Sequence, residues 1–382
     1  MTPLVHGHCD VDFERVAEAL GEELASGAEV GAAIAVDIDG ECVVDIWGGH
    51  RDAAKTVPWS EDTIVNVWSS TKTVTSLAAL MLADRGLLDL DAPVAQYWPE
   101  FAANGKDEVR VRHLLSHTSG VAGWQEPMTV DDLFDWDKAT SLLAAQAPWW
   151  PPGSASGYQA LNFGFLIGEL VRRTAGTSLK DFVRDEIARP LGADFQIGAT
   201  PEDAGRIADL IPPPPFDIPF DALPQGSPMR KTLTNPAPEA TIAHTAAWRE
   251  ADLGAVNGHG NARSLARMLS PVSLGGKANG IELLSPAIID RIFDVQSHGP
   301  DLVLAAPLKM GIGYGLATPE VVPFVPAEER VCFWGGWGGS VVLMNPDRGV
   351  TATYVMNRMG QGTLGNERTA RYARLIYESM TG

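Results

Sequence analysis

Positive charge is scarce in this chain. Of 382 residues, 29 are Lys or Arg against 48 Asp or Glu, for a formal net charge of −19. Such a surface repels phosphate backbones and anionic bilayers, which argues against nucleic acid or a membrane surface as the main partner. Long apolar runs are also missing. No stretch approaches the ~18 consecutive apolar residues of a membrane span, and the opening Met1-Thr2-Pro3-Leu4-Val5-His6 has neither region of a signal peptide. A cytoplasmic location is the expectation. Cysteine is nearly absent: Cys9, Cys42 and Cys332 form an odd set without Cys-x-x-Cys spacing, which points to free thiols rather than a disulfide framework or a zinc knuckle. No Gly-x-Ser-x-Gly pentapeptide occurs, so the nucleophile elbow of an α/β-hydrolase is missing as well.

What is present is ordinary for a globular protein, with 45% hydrophobic residues and enough length for two domains or one elaborated one. Apolar residues Phe13, Val16, Leu20 and Leu24 recur at helical spacing. Val30 to Asp37 and Cys42 to Trp47 then read as two strands joined across Asp39-Gly40, a strong hairpin signal. Just before them, His6-Gly7-His8-Cys9-Asp10 contains metal-ligand types, but no second group at ligand spacing follows and no metal site is assigned. From Thr71 to about Ser270 the periodicity is mostly helical, except for an irregular stretch over 200–257 containing Pro212 to Pro215, Pro219, Pro224, Pro228, Pro236 and Pro238. A loop of that length on a compact domain predicts a lid or pocket wall. The last quarter returns to short strands, including Val350 to Met356, and closes with a helix near Glu367 to Met380.

These patterns predict an α+β fold in which strands from both ends share one antiparallel sheet flanked by terminal helices. The expected division is 1–68 with 285–382 as one α/β domain and 69–284 as a mainly helical second lobe, with the site in the cleft between them.

Val67-Trp68-Ser69-Ser70-Thr71-Lys72 stands at that junction. A helix starting near Ser70 places Ser69 at its N-terminus and Lys72 on the same face one turn on, where a desolvated amine can activate the hydroxyl. A Ser-x-x-Lys pair is weak alone, since about 8 Lys and 19 Ser in 382 residues supply roughly 0.4 by chance. Two other stretches strengthen it. Gly153-Ser154-Ala155-Ser156-Gly157-Tyr158 sets a phenol at the mouth of a helix, where nearby ammonium charge can favour a general-base phenolate. Trp334-Gly335-Gly336-Trp337-Gly338-Gly339 suits a strand edge whose backbone N–H groups face an oxyanion. By contrast, Gly311-Ile312-Gly313-Tyr314-Gly315 lacks the surrounding strand and helix of a nucleotide site.

Taken in order, Ser69-Ser70-Thr71-Lys72, Tyr158 and Trp334-Gly335-Gly336 resemble the three motifs of the serine β-lactamase and penicillin-binding protein superfamily. The chain looks most like its class C-like carboxylesterase branch, the family VIII esterases. Val111-Arg112-His113-Leu114-Leu115-Ser116-His117-Thr118-Ser119-Gly120 and Asn261-Ala262-Arg263-Ser264-Leu265-Ala266-Arg267 resemble further segments of it. The resemblance implies a β-lactamase/transpeptidase-like fold, Ser69 as acylated nucleophile, Lys72 and Tyr158 as proton partners with the base unassigned, and the backbone N–H groups of Ser69 and Trp337 as oxyanion hole. It implies no metal or organic cofactor and no chemistry for His113 or His117.

Two departures bear on the substrate. Class C β-lactamases have Tyr-x-Asn and Lys-Thr-Gly where this chain has Tyr158-Gln159-Ala160 and Trp334-Gly335-Gly336. The groups that would meet a β-lactam's amide and carboxylate are missing. Trp334, Gly335 and Gly336, extended by Trp124, Trp149 and Trp150, are expected to wall an apolar substrate site. The implied function is hydrolysis of small, short-chain esters, with little or no β-lactamase activity. The alternatives are an acyltransferase of the same fold and a protein that is acylated without turnover.

Overall fold

The computed structural model describes residues 4–215 and 222–380. Its frame is a nine-stranded antiparallel sheet built from both ends of the chain. In spatial order the strands are Val5–Cys9, Glu41–Gly49, Gly31–Ile38, Val350–Met356, Val341–Asn345, Cys332–Gly335, Gly315–Leu316, Pro307–Met310 and Ser297–Pro300. The hairpin turns at Asp39 and Gly40, both with positive φ (51° and 85°), as a tight turn matched to strand twist requires. Val350–Met356 is buried along its whole length and joins the two halves by pairing with Gly31–Ile38, Thr353 opposite Ala35.

The helices Glu14–Ser26 and Glu367–Ser379 pack against each other on one face of this sheet, and Ala262–Ser273 packs against its central strands. The helix Thr71–Asp84 is buried from Thr71 to Leu82. A helix enclosed on every side belongs in a core. Leu77, Leu80, Met81 and Leu82 are each 0% exposed, and burying a side chain of that size stabilises by about 1.5–3 kcal/mol. It is the element on which the molecule's two halves meet: Phe163–Ala175 packs on it from the helical side, and Cys332–Gly335 touches it from the sheet.

Several elements were not visible in the sequence pattern. His6 to Cys9 belong to the sheet's edge strand, paired with Glu41–Gly49. Ser297–Pro300 and Pro307–Met310 form the opposite edge, where Pro300 faces Pro307. Proline fits there because an outermost strand has no further ladder to donate to. A second sheet has the strand order Phe195–Ile197, Gly258–Gly260, Ile64–Asn66, Ile207–Ala208. The irregular stretch carries short helices at Pro228–Thr234 and Ala246–Glu250, while Pro219 lies outside the described residues.

Candidate active site

The strand Ile64–Asn66 runs into a 3-10 turn at Trp68–Ser70, and this turn feeds the buried helix. Ser69 is thus presented on a tight turn just ahead of the helix. Trp68 has φ +47°, a left-handed backbone that costs a bulky residue about 1–3 kcal/mol unless its surroundings hold it there. They do so closely. Its indole lies between Trp248 and Trp337, with ring centroids at 5.3 and 4.9 Å, and its carbonyl accepts from Thr71 Oγ1 at 2.6 Å. The next carbonyl back, on Val67, accepts from Ser340 Oγ at 2.8 Å, and Ser340 Oγ lies 2.9 Å from Ser70 Oγ. The turn is therefore bolted to the glycine-rich strand end.

Lys72 and Tyr158 converge on Ser69. Lys72 Nζ is 3.1 Å from Ser69 Oγ, 2.8 Å from the Ala160 carbonyl oxygen and 3.0 Å from that of Ala255. The Tyr158 hydroxyl is 2.6 Å from Ser69 Oγ, and Lys72 Nζ sits 4.8 Å from the centre of its ring. Burial holds the Lys72 ammonium well below its ordinary range. Burial also pushes the Tyr158 phenol up to about 12, against the pull of its hydrogen bond with Ser69 and reinforced by the charge of Asp301. A neutral lysine has two N–H bonds and one lone pair. A neutral amine would place its two N–H bonds on the two carbonyls and its lone pair toward the Ser69 hydroxyl, whereas a charged one donates to all three. A protonated Tyr158 can donate to the same oxygen. The arrangement can remove a proton from Ser69 on one side and return one on the other.

Gly335 and Gly336 are required by close approach. A Cβ on Gly336 would lie 2.3 Å from the Val67 carbonyl oxygen, and one on Gly335 would lie 2.6 Å from the Leu364 backbone. Their place is behind the turn rather than in the cavity. The cavity beside Ser69 has a volume of about 120 Å³, and its lining includes Trp68, Trp337 and Tyr158 together with Thr232 and Leu233 and with Pro236 to Pro238. Among the described residues, no Lys or Arg lines it. Its volume is of the order of the ~150 Å³ apolar cavity that accommodates benzene.

The expected tryptophan wall is corrected by this geometry. Trp337 lines the cavity, but Trp334 does not: it is 2% exposed and packs behind Tyr158 and His117, with ring centroids at 5.3 and 5.4 Å. Trp124 is a core residue, its Nε1 donating to the Ala139 carbonyl at 2.9 Å. Trp149 and Trp150 cover the outside of the Tyr158 cluster, and a Cβ on Gly157 would collide with Trp150. Part of the cavity wall comes instead from the proline-rich stretch.

One supporting residue, Asp301, escaped the sequence reading, and a second, His117, was named there without a role in the chemistry. Asp301, 2% exposed, accepts the backbone N–H of Tyr158 at 3.1 Å and those of Val303 and Leu304 at 2.9 Å, so it anchors the phenol's backbone. His117 accepts the N–H of Gln159 at Nδ1 (3.3 Å), and its ring stands edge-on to Tyr158 at 5.2 Å. Burial, then the charge of Lys72, drives its imidazole well below the usual range, so it serves as a neutral prop. A single aspartate in a loop carries no spacing signal. His113 Nδ1 accepts the N–H of Arg110 at 3.2 Å, a helix-capping contact.

Residues 13–376 match the family model described as Beta-lactamase. The esterase/beta-lactamase LipL of Mycobacterium tuberculosis is 35% identical over 368 residues, covering 93% of this chain and 83% of that protein. Esterase EstB of Burkholderia gladioli is 33% identical over 381 residues, covering 90% of this chain and 91% of its own length. Among solved structures, a family VIII carboxylesterase superposes with a TM-score of 0.91 at 34% identity, covering 98% of this chain and 99% of that one. A matching fold, a family match across nearly the full length and two esterase relatives agree, and the chain belongs to the beta-lactamase family.

Proposed function

We propose that the protein is a serine carboxylesterase acting on small, uncharged, short-chain esters. The observation that carries this reading is Ser69 Oγ held between Lys72 Nζ and the Tyr158 hydroxyl at the side of an apolar cavity without a cation. Ser69 Oγ attacks the ester carbonyl carbon while the neutral Lys72 amine takes its proton. The carbonyl oxygen becomes an oxyanion held by the backbone N–H groups of Ser69 and Trp337, both of which border the cavity. As the intermediate collapses, the C–O bond to the alcohol breaks and the Tyr158 phenol supplies the proton that the alkoxide takes up, later recovering one from Lys72. Water then attacks the acyl-Ser69 ester by the reverse proton path, releasing the acid and restoring Ser69.

Apolar walls favour a compact, uncharged acyl or alcohol group. A β-lactam carboxylate would lose its hydration with no cation to meet it. Little β-lactamase activity is therefore part of the reading. The free thiols Cys9, Cys42 and Cys332 fit a reducing cytoplasm, and among the described residues no helix is long and apolar enough to cross a membrane. The test is steady-state hydrolysis of acetate and butyrate esters beside a cephalosporin, with wild type and Ser69→Ala. Ester turnover that disappears in Ser69→Ala and exceeds cephalosporin turnover by at least about 10²-fold, the scale set by one missing charge-assisted contact, supports the reading. Comparable cephalosporin turnover overturns it.

A further inference from the structure

Part of the cavity wall belongs to the least regular part of the chain, and one of its residues ties it to a distant loop. Thr232, Leu233, Pro236, Ala237 and Pro238 all border the cavity, and Asn235 sits among them with its side chain turned the other way. Its Nδ2 donates to the carbonyl oxygens of Trp124 (2.9 Å) and Glu126 (2.8 Å), and its Oδ1 accepts the backbone N–H of Met128 (2.7 Å). Both amide hydrogens and the carbonyl are engaged across more than a hundred residues of sequence. The fit is specific to an amide, because a carboxylate would oppose two carbonyl oxygens and an aliphatic chain would leave all three groups without their partner.

The loop that receives these bonds is rigid in its own right. Trp124 Nε1 donates to the Ala139 carbonyl at 2.9 Å, Gln146 Nε2 donates to the Gly123 carbonyl at 2.8 Å and its Oε1 accepts from the Gln125 N–H at 3.0 Å, and Asn162 Nδ2 donates to the Val121 carbonyl at 2.8 Å. A second polar tether to this loop among the described residues is an exposed one, Lys231 Nζ to Gln125 Oε1 at 3.2 Å. Asn235 makes three of the contacts that position the wall against this loop.

We propose that Asn235 is a specificity-determining residue: by pinning the wall at Thr232 to Pro238 to the loop at Trp124 to Met128, it sets the width of the cavity and hence the longest acyl group the site accepts. It touches neither Ser69, Lys72 nor Tyr158, so it governs which ester fits and leaves the bond-breaking machinery alone. The inference rests on the esterase reading and deepens it.

The experiment compares kcat/KM for p-nitrophenyl acetate, butyrate, hexanoate and octanoate in wild type, Asn235→Ala and Asn235→Asp, together with hydrogen exchange of the Met128 amide. The expected result is a wild type that favours the shorter esters, and variants in which the octanoate-to-acetate ratio rises by about tenfold while kcat for acetate stays within about threefold, with Met128 exchanging faster. Should Asn235→Ala fold poorly, Asn235→Asp, which keeps size and the Oδ1 acceptor, carries the test by itself. A folded variant with loosened Met128 and an unchanged chain-length profile overturns the inference. So does an equal loss on all four esters, which marks Asn235 as a general structural residue. A wild type without turnover on any ester instead strikes the esterase reading, so the two failures are distinguishable.

Discussion

Two lysines in this protein are equally hidden and differ in one partner. Lys106, 0% exposed, directs Nζ at three backbone carbonyls, those of Ala103 (2.7 Å), Ala144 (3.0 Å) and Gln146. Lys72, 2% exposed, meets two carbonyls, and its third partner is the Ser69 hydroxyl. Three acceptors suit an ammonium with three N–H bonds. Two acceptors and a hydroxyl suit an amine with a lone pair to use. Burial lowers both, Lys106 to about 8 and Lys72 well below its usual range.

Exchanging each lysine for methionine breaks this comparison in opposite ways. Lys72→Met removes the amine proposed to take the Ser69 proton, and kcat/KM for a short ester is expected to fall by about 10³-fold, within the range for general acid–base groups. The wild-type pH profile sharpens the point. On the proposed mechanism the active form carries the neutral amine, so kcat/KM is expected to rise with pH through the lowered Lys72 pKa and to be flat before the ordinary lysine range near 10.5, while Tyr158 stays protonated up to about 12. A rise centred near 10.5 would show that Lys72 is not desolvated in the working enzyme.

Lys106→Met has the smaller effect and a different kind. Leaving three carbonyls without their donor is expected to lower unfolding free energy by about 2–4 kcal/mol in urea titrations, with kcat/KM within about threefold. Its pH dependence has a definite sign. The unfolded chain holds the Lys106 proton up to about 10.5, whereas the folded protein releases it near 8. Between those values unfolding takes up a proton, so wild-type stability rises with pH relative to Lys106→Met across that window.

How much of this was legible in the sequence follows the same division. Ser69 on the entry turn lies one turn ahead of Lys72, so spacing brings them together, whereas Tyr158 and Trp337 were marked by the resemblance of their glycine-flanked motifs to the family's. Lys106 had no such mark, because two of its three carbonyl partners, on Ala144 and Gln146, come from about forty positions away. The tryptophans misled for a related reason. A large apolar ring suits a pocket wall and a core equally well, and only tertiary packing sent Trp124 and Trp334 inward. The true wall, Thr232 to Pro238, has no periodicity to read, and its position depends on distant contacts made by Asn235. The edge strands were hidden by short length and by Pro300 and Pro307, whereas Val350 to Met356, a central strand rich in β-branched residues, appears with the boundaries the pattern predicted.

The measurement that tests the account most directly is intact-protein mass within milliseconds to seconds of mixing with p-nitrophenyl butyrate, with product release followed in parallel. The account predicts that wild type gains one butyryl mass, mapped to Ser69, that decays as substrate is consumed, and that Ser69→Ala gains none. An adduct that never decays, or turnover that persists in Ser69→Ala, would contradict it.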